Sequence, residues 1–235
     1  MVFVPLYDDN HLKFIPFQYA TWTLIAINVA VFIWQQAMGQ VALVAFDVSA
    51  GVIPAGVLGG AKLPPELALI PPALTLVTYM FLHGDFWHLL GNMLFLWVFG
   101  DNVEDSMGSI RFVIFYLLCG VAAGLTHAVA NLGSDAPLIG ASGATAGVIA
   151  AYVMLYPRVR VWVLAFMRIP LRLAAWFVIL SWIVLQIIFV ALGANDGTAW
   201  WAHLGGFGAG LVLIPIFKRA EQPLFGAGRP NQQTG

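Results

Sequence analysis

Only 21 of the 235 residues are charged, 9% of the chain, against about 25% in an ordinary soluble domain, while 61% are apolar. So few charges cannot cover a soluble fold of this size, and the composition excludes a disordered chain, a nucleic-acid binder with a basic face and a small disulfide scaffold. It implies a polytopic membrane protein, in which the placement of charge says more than the net value of −1.

In chain order, the segment before Lys13 carries Asp8 and Asp9 and reads as neither a signal peptide nor an Arg-rich transit peptide. A span needs about 20 apolar residues. The charge-free runs predict helices near 20–38, 84–100, 110–130, 142–156, 172–193 and 199–217. Residues 40–82 are expected to form a long external loop that dips into the membrane interface, with Pro54, Pro64, Pro65, Pro71 and Pro72 as helix breakers. If the N-terminus is cytoplasmic, nine of the ten basic residues fall on that side: Lys13, Arg111, Arg158, Arg160, Arg168, Arg172, Lys218, Arg219 and Arg229. Only Lys62 is outside. The expected fold is therefore an all-α membrane protein, a bundle of six transmembrane helices with both termini cytoplasmic. It forms a single domain over 1–219, followed by a flexible tail over 220–235.

Small residues recur at helical spacing, with Gly143, Gly147 and Ala151 four apart in the fourth helix and Gly206 and Gly210 four apart in the sixth. That pattern lets helix backbones approach closely in lipid. Polar residues inside spans are costly and are functional candidates by default. Ser142, in Gly140-Ala-Ser-Gly-Ala, opens the fourth helix, where free N–H groups and the positive end of the helix dipole gather; the alternative reading is an N-cap serine. His203, in Ala202-His-Leu-Gly-Gly, lies a few residues into the sixth helix at matching depth, or serves as a structural hydrogen-bonder. His88 and Asn92 share one face of the second helix and offer two donors for an oxyanion, or simply join helices. His83 and His127 near the same side, and the lone Cys119, read as structural. Gly100, Glu104 and Gly108 lie at the opposite end, where the glycines permit a tight turn and Glu104 accepts hydrogen bonds from it. The sequence has no HExxH and no in-span carboxylate near these histidines, so no metal and no cofactor is expected.

Taken together, His88-Leu-Leu-Gly-Asn92, Gly100…Glu104…Gly108, Gly140-Ala-Ser142-Gly-Ala and Ala202-His203-Leu-Gly-Gly206 resemble the rhomboid family of intramembrane serine proteases over about residues 83–210. The resemblance implies a Ser–His dyad in a water-filled cavity open to the outside. Ser142 matches the nucleophile, His203 the general base, and His88 and Asn92 the oxyanion side chains. Gly100, Glu104 and Gly108 match a turn-stabilising motif, and loop 40–82 matches a membrane-dipping first loop. The fifth helix with residues 194–199 matches a gate and cap. Two features depart from the family pattern. The tyrosine that some members carry one turn after the serine is Ala146 here, so packing on Gly143 and Gly147 is expected to hold the histidine. The Trp-Arg pair of the first loop is absent. The implied partners are transmembrane protein substrates and the lipid bilayer, with no nucleic acid. A catalytically silent relative that binds transmembrane clients is the alternative, disfavoured because both dyad residues and both oxyanion side chains are present. An unrelated channel fits less well, because the polar residues gather near one side only. Compactness and the lack of organelle targeting lead to an expected prokaryotic plasma membrane.

Overall fold

The computed structural model describes residues 3–194 and 197–226. The elements run β1 (Phe3–Asp8), α1 (Tyr19–Gln36), α2 (Gln40–Ala50), α3 (Pro54–Val57), α4 (Pro72–Thr78), α5 (Phe86–Met107), α6 (Ser109–Ala130), α7 (Ser142–Leu155), β2 (Arg160–Ala165), β3 (Ile169–Ala174), α8 (Ala175–Ala191) and α9 (Trp200–Phe217). A 3₁₀ turn, Tyr79–Phe81, follows α4. Two of these helices, α6 and α9, are long and apolar enough to cross a membrane by length and composition.

Helix α7 is the centre of the molecule. It is apolar on every side, and the whole run Gly143–Tyr152 is buried, as expected for a helix surrounded by others. On one side Tyr152 meets Phe99 of α5, ring centroids 4.8 Å apart. On another, α7 crosses α9 with almost no side chain between them. A methyl group at Gly206 would collide with the carbonyl oxygen of Gly143, and one at Gly210 with that of Gly147. Cys119 of α6 fills the remaining side, 2.5 Å from where a Cβ of Gly147 would stand, as a buried free thiol.

Two expectations are corrected. The chain is mostly helical but not all-α: β1, β2 and β3 form an antiparallel sheet in that order. Arg160-Val-Trp-Val-Leu-Ala alternates outward and inward along β2, the period of a half-buried strand, and pairs from Arg160↔Ala174 to Ala165↔Ile169 with β3. Residues 172–174, assigned from hydropathy to a helix, belong to β3. Nor do the prolines of segment 40–82 all act as helix breakers. The segment contains α2, α3 and α4, because Pro54 and Pro72 stand at the first helical position, where a missing N–H costs nothing and the fixed φ favours a helical start.

The end of the bundle opposite Ser142 is joined by carboxylates. Glu104, fully buried, accepts from the backbone N–H groups of Ala20 (3.0 Å) and Thr21 (2.8 Å), from Thr21 Oγ1 (2.8 Å) and from Ser109 Oγ (2.6 Å). It satisfies the first turn of α1, whose own cap residue, Gln18, makes no side-chain capping bond, as well as the turn between α5 and α6. Gly108 makes that turn at φ +88°, and Gly100 leaves room for Thr21. Asp105 accepts from the N–H groups of Lys13, Phe14 and Ile15. Asp8 accepts from Tyr152 Oη and Asn102 Nδ2, tying β1 to α7 and α5. Beyond α9, the N–H of Arg219 donates to Ser106 O and that of Phe225 to Met154 O. The rest of the segment read as a tail, 227–235, lies outside the described residues.

Two measurements follow. Gly206→Ala should cost about 1–3 kcal/mol and lower the melting temperature in detergent, whereas Gly208→Ala, with nothing within 4 Å, should not. Burial pushes the Asp8 carboxyl up from 3.8 to about 7, against the lowering effect of the Tyr152 hydrogen bond. The folded state therefore holds that proton more tightly than the unfolded chain, and the stability it gives is full below about pH 4 and lost as pH rises through 7. Melting temperature should fall between pH 5 and 8 by more in the wild type than in Asp8→Asn.

Candidate active site

Ser142 is the first residue of α7, and the residue before it, Ala141, has no capping side chain. The N–H groups of the first turn are thus left without helical partners. The chain enters through Gly140 at φ +123°, a conformation that suits glycine, and the Gly140 N–H donates to Tyr79 O at 2.9 Å. The Ser142 hydroxyl does not cap its own helix. It lies 2.9 Å from Nε2 of His203, the fourth residue of α9. The glycine crossing described above is what brings the two helices close enough for this contact.

The other ring nitrogen, His203 Nδ1, lies 2.7 Å from Oε1 of Gln186 on α8. With an amide oxygen as acceptor, Nδ1 carries the proton and the Nε2 lone pair faces the hydroxyl. Trp182 of α8 packs against the ring at 5.7 Å and 37°, and Trp200 approaches edge-on at 6.1 Å. These three groups hold His203. Gly143 and Gly147, expected to do so, pack instead on Ala123, Cys119 and the backbone of α9. Sequence reasoning missed Gln186. Its signal was a single amide in an otherwise apolar stretch, Trp182-Ile-Val-Leu-Gln-Ile-Ile-Phe-Val.

His88 and Asn92 approach from α5. Asp85 caps that helix by accepting from the His88 N–H at 2.9 Å. Both side chains converge on Gly140: a Cβ there would lie 2.7 Å from His88 Nε2 and 3.9 Å from Asn92 Nδ2. Asn92 Nδ2 is buried and has no hydrogen-bond partner among the described residues. His83 is buried edge-on to His88 at 5.1 Å, and its backbone N–H donates to Gln35 Oε1, whose Nε2 in turn donates to Asp47 of α2. The first loop is thereby tied to this wall of the site.

His127 bonds to Asn131, and part of the 194–199 segment lies outside the described residues. Gly100, Glu104 and Gly108 occupy the far end. Among the described residues, no three histidine, cysteine or carboxylate side chains converge to hold a metal. The arrangement brings together a serine hydroxyl, an imidazole contacted at both ring nitrogens and a buried side-chain amide.

Residues 72–220 match the model of the Rhomboid domain. The chain belongs to the rhomboid family. The rhomboid match takes in His88, Asn92, Ser142, Gln186 and His203 and leaves out α1 to α3. Rhomboid protein 1, mitochondrial, of Saccharomyces cerevisiae is 30% identical over 167 residues, 66% of this chain and 46% of the yeast protein. RHOMBOID-like protein 6, mitochondrial, of Arabidopsis thaliana is 30% identical over 160 residues, 68% and 48% respectively. RHOMBOID-like protein 5 of the same plant is 30% identical over 138 residues, 59% and 42%. The chain therefore spans under half the length of each. These relatives also overturn the expected prokaryotic plasma membrane: two of the three are named as mitochondrial proteins of eukaryotes.

Proposed function

We propose that this chain is an intramembrane serine endopeptidase that cleaves transmembrane segments of other proteins through a Ser142–His203 dyad. The observation that carries the reading is the 2.9 Å contact between Ser142 Oγ and His203 Nε2, with Nδ1 bonded on its far side. His203 takes the hydroxyl proton as Oγ attacks a peptide carbonyl, and the peptide C–N bond breaks as His203 returns the proton to the leaving nitrogen. Water then adds to the acyl-enzyme, giving up a proton to His203, and the Ser142 ester bond breaks as His203 returns that proton to Oγ. The oxyanion of each tetrahedral stage lies among His88, Asn92 and the free N–H groups of the first turn of α7, in a site of low dielectric where each donor counts for more. A substrate helix hides its carbonyls in its own hydrogen bonds, so it must unwind locally before attack.

The membrane reading is a six-span single domain over 1–219, formed by α1, α5, α6, α7, α8 and α9. It is supported by apolar side chains facing outward, such as Ile33 and Trp34 on α1 and Leu180 and Ile187 on α8. It is supported too by where basic residues lie: the Lys13 backbone N–H bonds the Asp105 carboxylate, Arg219 Nε bonds the Asp105 carbonyl, and Arg172 pairs with Asp9 at 2.6 Å, all at one end of the bundle. By the bias of positive charge that end is cytoplasmic.

A fluorophosphonate probe tests the reading without a known substrate. Full-length protein in detergent should label covalently, and Ser142→Ala and His203→Ala should not. Labelling that survives in Ser142→Ala, or that is absent from the folded wild type, rejects it. Against a transmembrane peptide substrate, Asn92→Ala should lower kcat by about 10²–10³-fold with a much smaller change in KM.

A further inference from the structure

Building on the protease reading, we propose that Gln186 is a positioning residue which fixes the tautomer of His203, so that the catalytic base is assembled from α8 and α9 together. A Ser–His pair alone does not determine which ring nitrogen carries the proton. If Nε2 carries it, the imidazole faces Ser142 as a donor and cannot take the hydroxyl proton. An acceptor at Nδ1 removes that form, and Gln186 Oε1 stands there at 2.7 Å.

Gln186 has few other reasons to be where it is. It is 4% exposed, in a helix whose only other polar side chain, Ser181, bonds to Val178 O of its own backbone. An amide in that setting is costly unless it is bonded. Gln186 and Trp182 are four apart, on one face of α8, and both meet the His203 ring, one at its nitrogen and one at its face. The opposite face of α8, through Leu180, Val184 and Ile187, is exposed. The ionisable groups that act on His203 are His88 of α5 and His127 of α6, both imidazoles. Gln186 therefore orients the ring without placing an anion beside it. In consequence, α8 must be seated on α9 for the serine to be reactive.

The test uses full-length protein in detergent and two readouts, of which the first does not depend on activity. Nitrogen NMR of the imidazole rings, with His203 assigned by its loss in His203→Ala, should report a single Nδ1–H tautomer in the wild type and a mixture in Gln186→Leu. Fluorophosphonate labelling should be at least tenfold slower in Gln186→Leu. In Gln186→Glu labelling should persist, with its acid limb moved to higher pH, because a carboxylate favours the imidazolium. Unchanged ring resonances in Gln186→Leu, or an unmoved pH profile in Gln186→Glu, overturn the role of Gln186. Absence of labelling in a wild type that retains the Nδ1–H tautomer overturns the protease reading instead. If Gln186→Leu fails to fold, the Gln186→Glu profile decides alone.

Discussion

Where α7 and α9 cross, backbone rests on backbone. Gly143 and Gly147 on one helix face Gly206 and Gly210 on the other, and a single added carbon at Gly206 would strike a carbonyl oxygen. In lipid, no hydrophobic driving force draws helices together, so close packing of this kind must hold them. The 2.9 Å separation of Ser142 and His203 is a by-product of that crossing: each residue sits within one turn of it. Widening the crossing by the thickness of a methyl group would break the contact while leaving both side chains in place.

The two ends of the bundle are built on different chemistry. At the Ser142 end, polar groups are few, and several are left open. At the other end nearly everything is bonded. Glu104 alone receives four hydrogen bonds from two separate stretches of chain, and Asp105 fastens the segment before α1. A buried carboxylate is tolerable only with such a full set of donors. One end is therefore a rigid base, and α7 carries that rigidity from Tyr152 up to the serine.

Much of this was legible because apolar runs and rare polar residues are strong signals. Ser142, His203, His88 and Asn92 stand out against spans with almost no other polar atoms, and the glycines at four-residue spacing mark the crossing. The strands were not legible from hydropathy, since Arg160 to Arg172 carries enough charge to read as a loop, and the alternation in Arg-Val-Trp-Val is only a few residues long. The helices between 40 and 82 were hidden by prolines whose effect depends on position: the same residue that ends a helix from inside starts one from its first turn. Gln186 was not legible because a lone neutral amide in an apolar helix does not show in sequence which neighbour it meets, and no motif pairs it with His203.

Asn92 has a thermodynamic consequence for binding at the site. A buried donor without a partner costs about 1–3 kcal/mol, and Asn92 Nδ2 is such a donor. With no protein group to accept from that donor, the fold is less stable than its packing alone would allow, and a well-packed apolar side chain at that position would remove the cost. Any molecule that brings an oxygen acceptor to the spot returns the deficit as affinity, and negatively charged oxygens return more than neutral ones. Binding at this place and resistance to unfolding are thus two readings of one quantity.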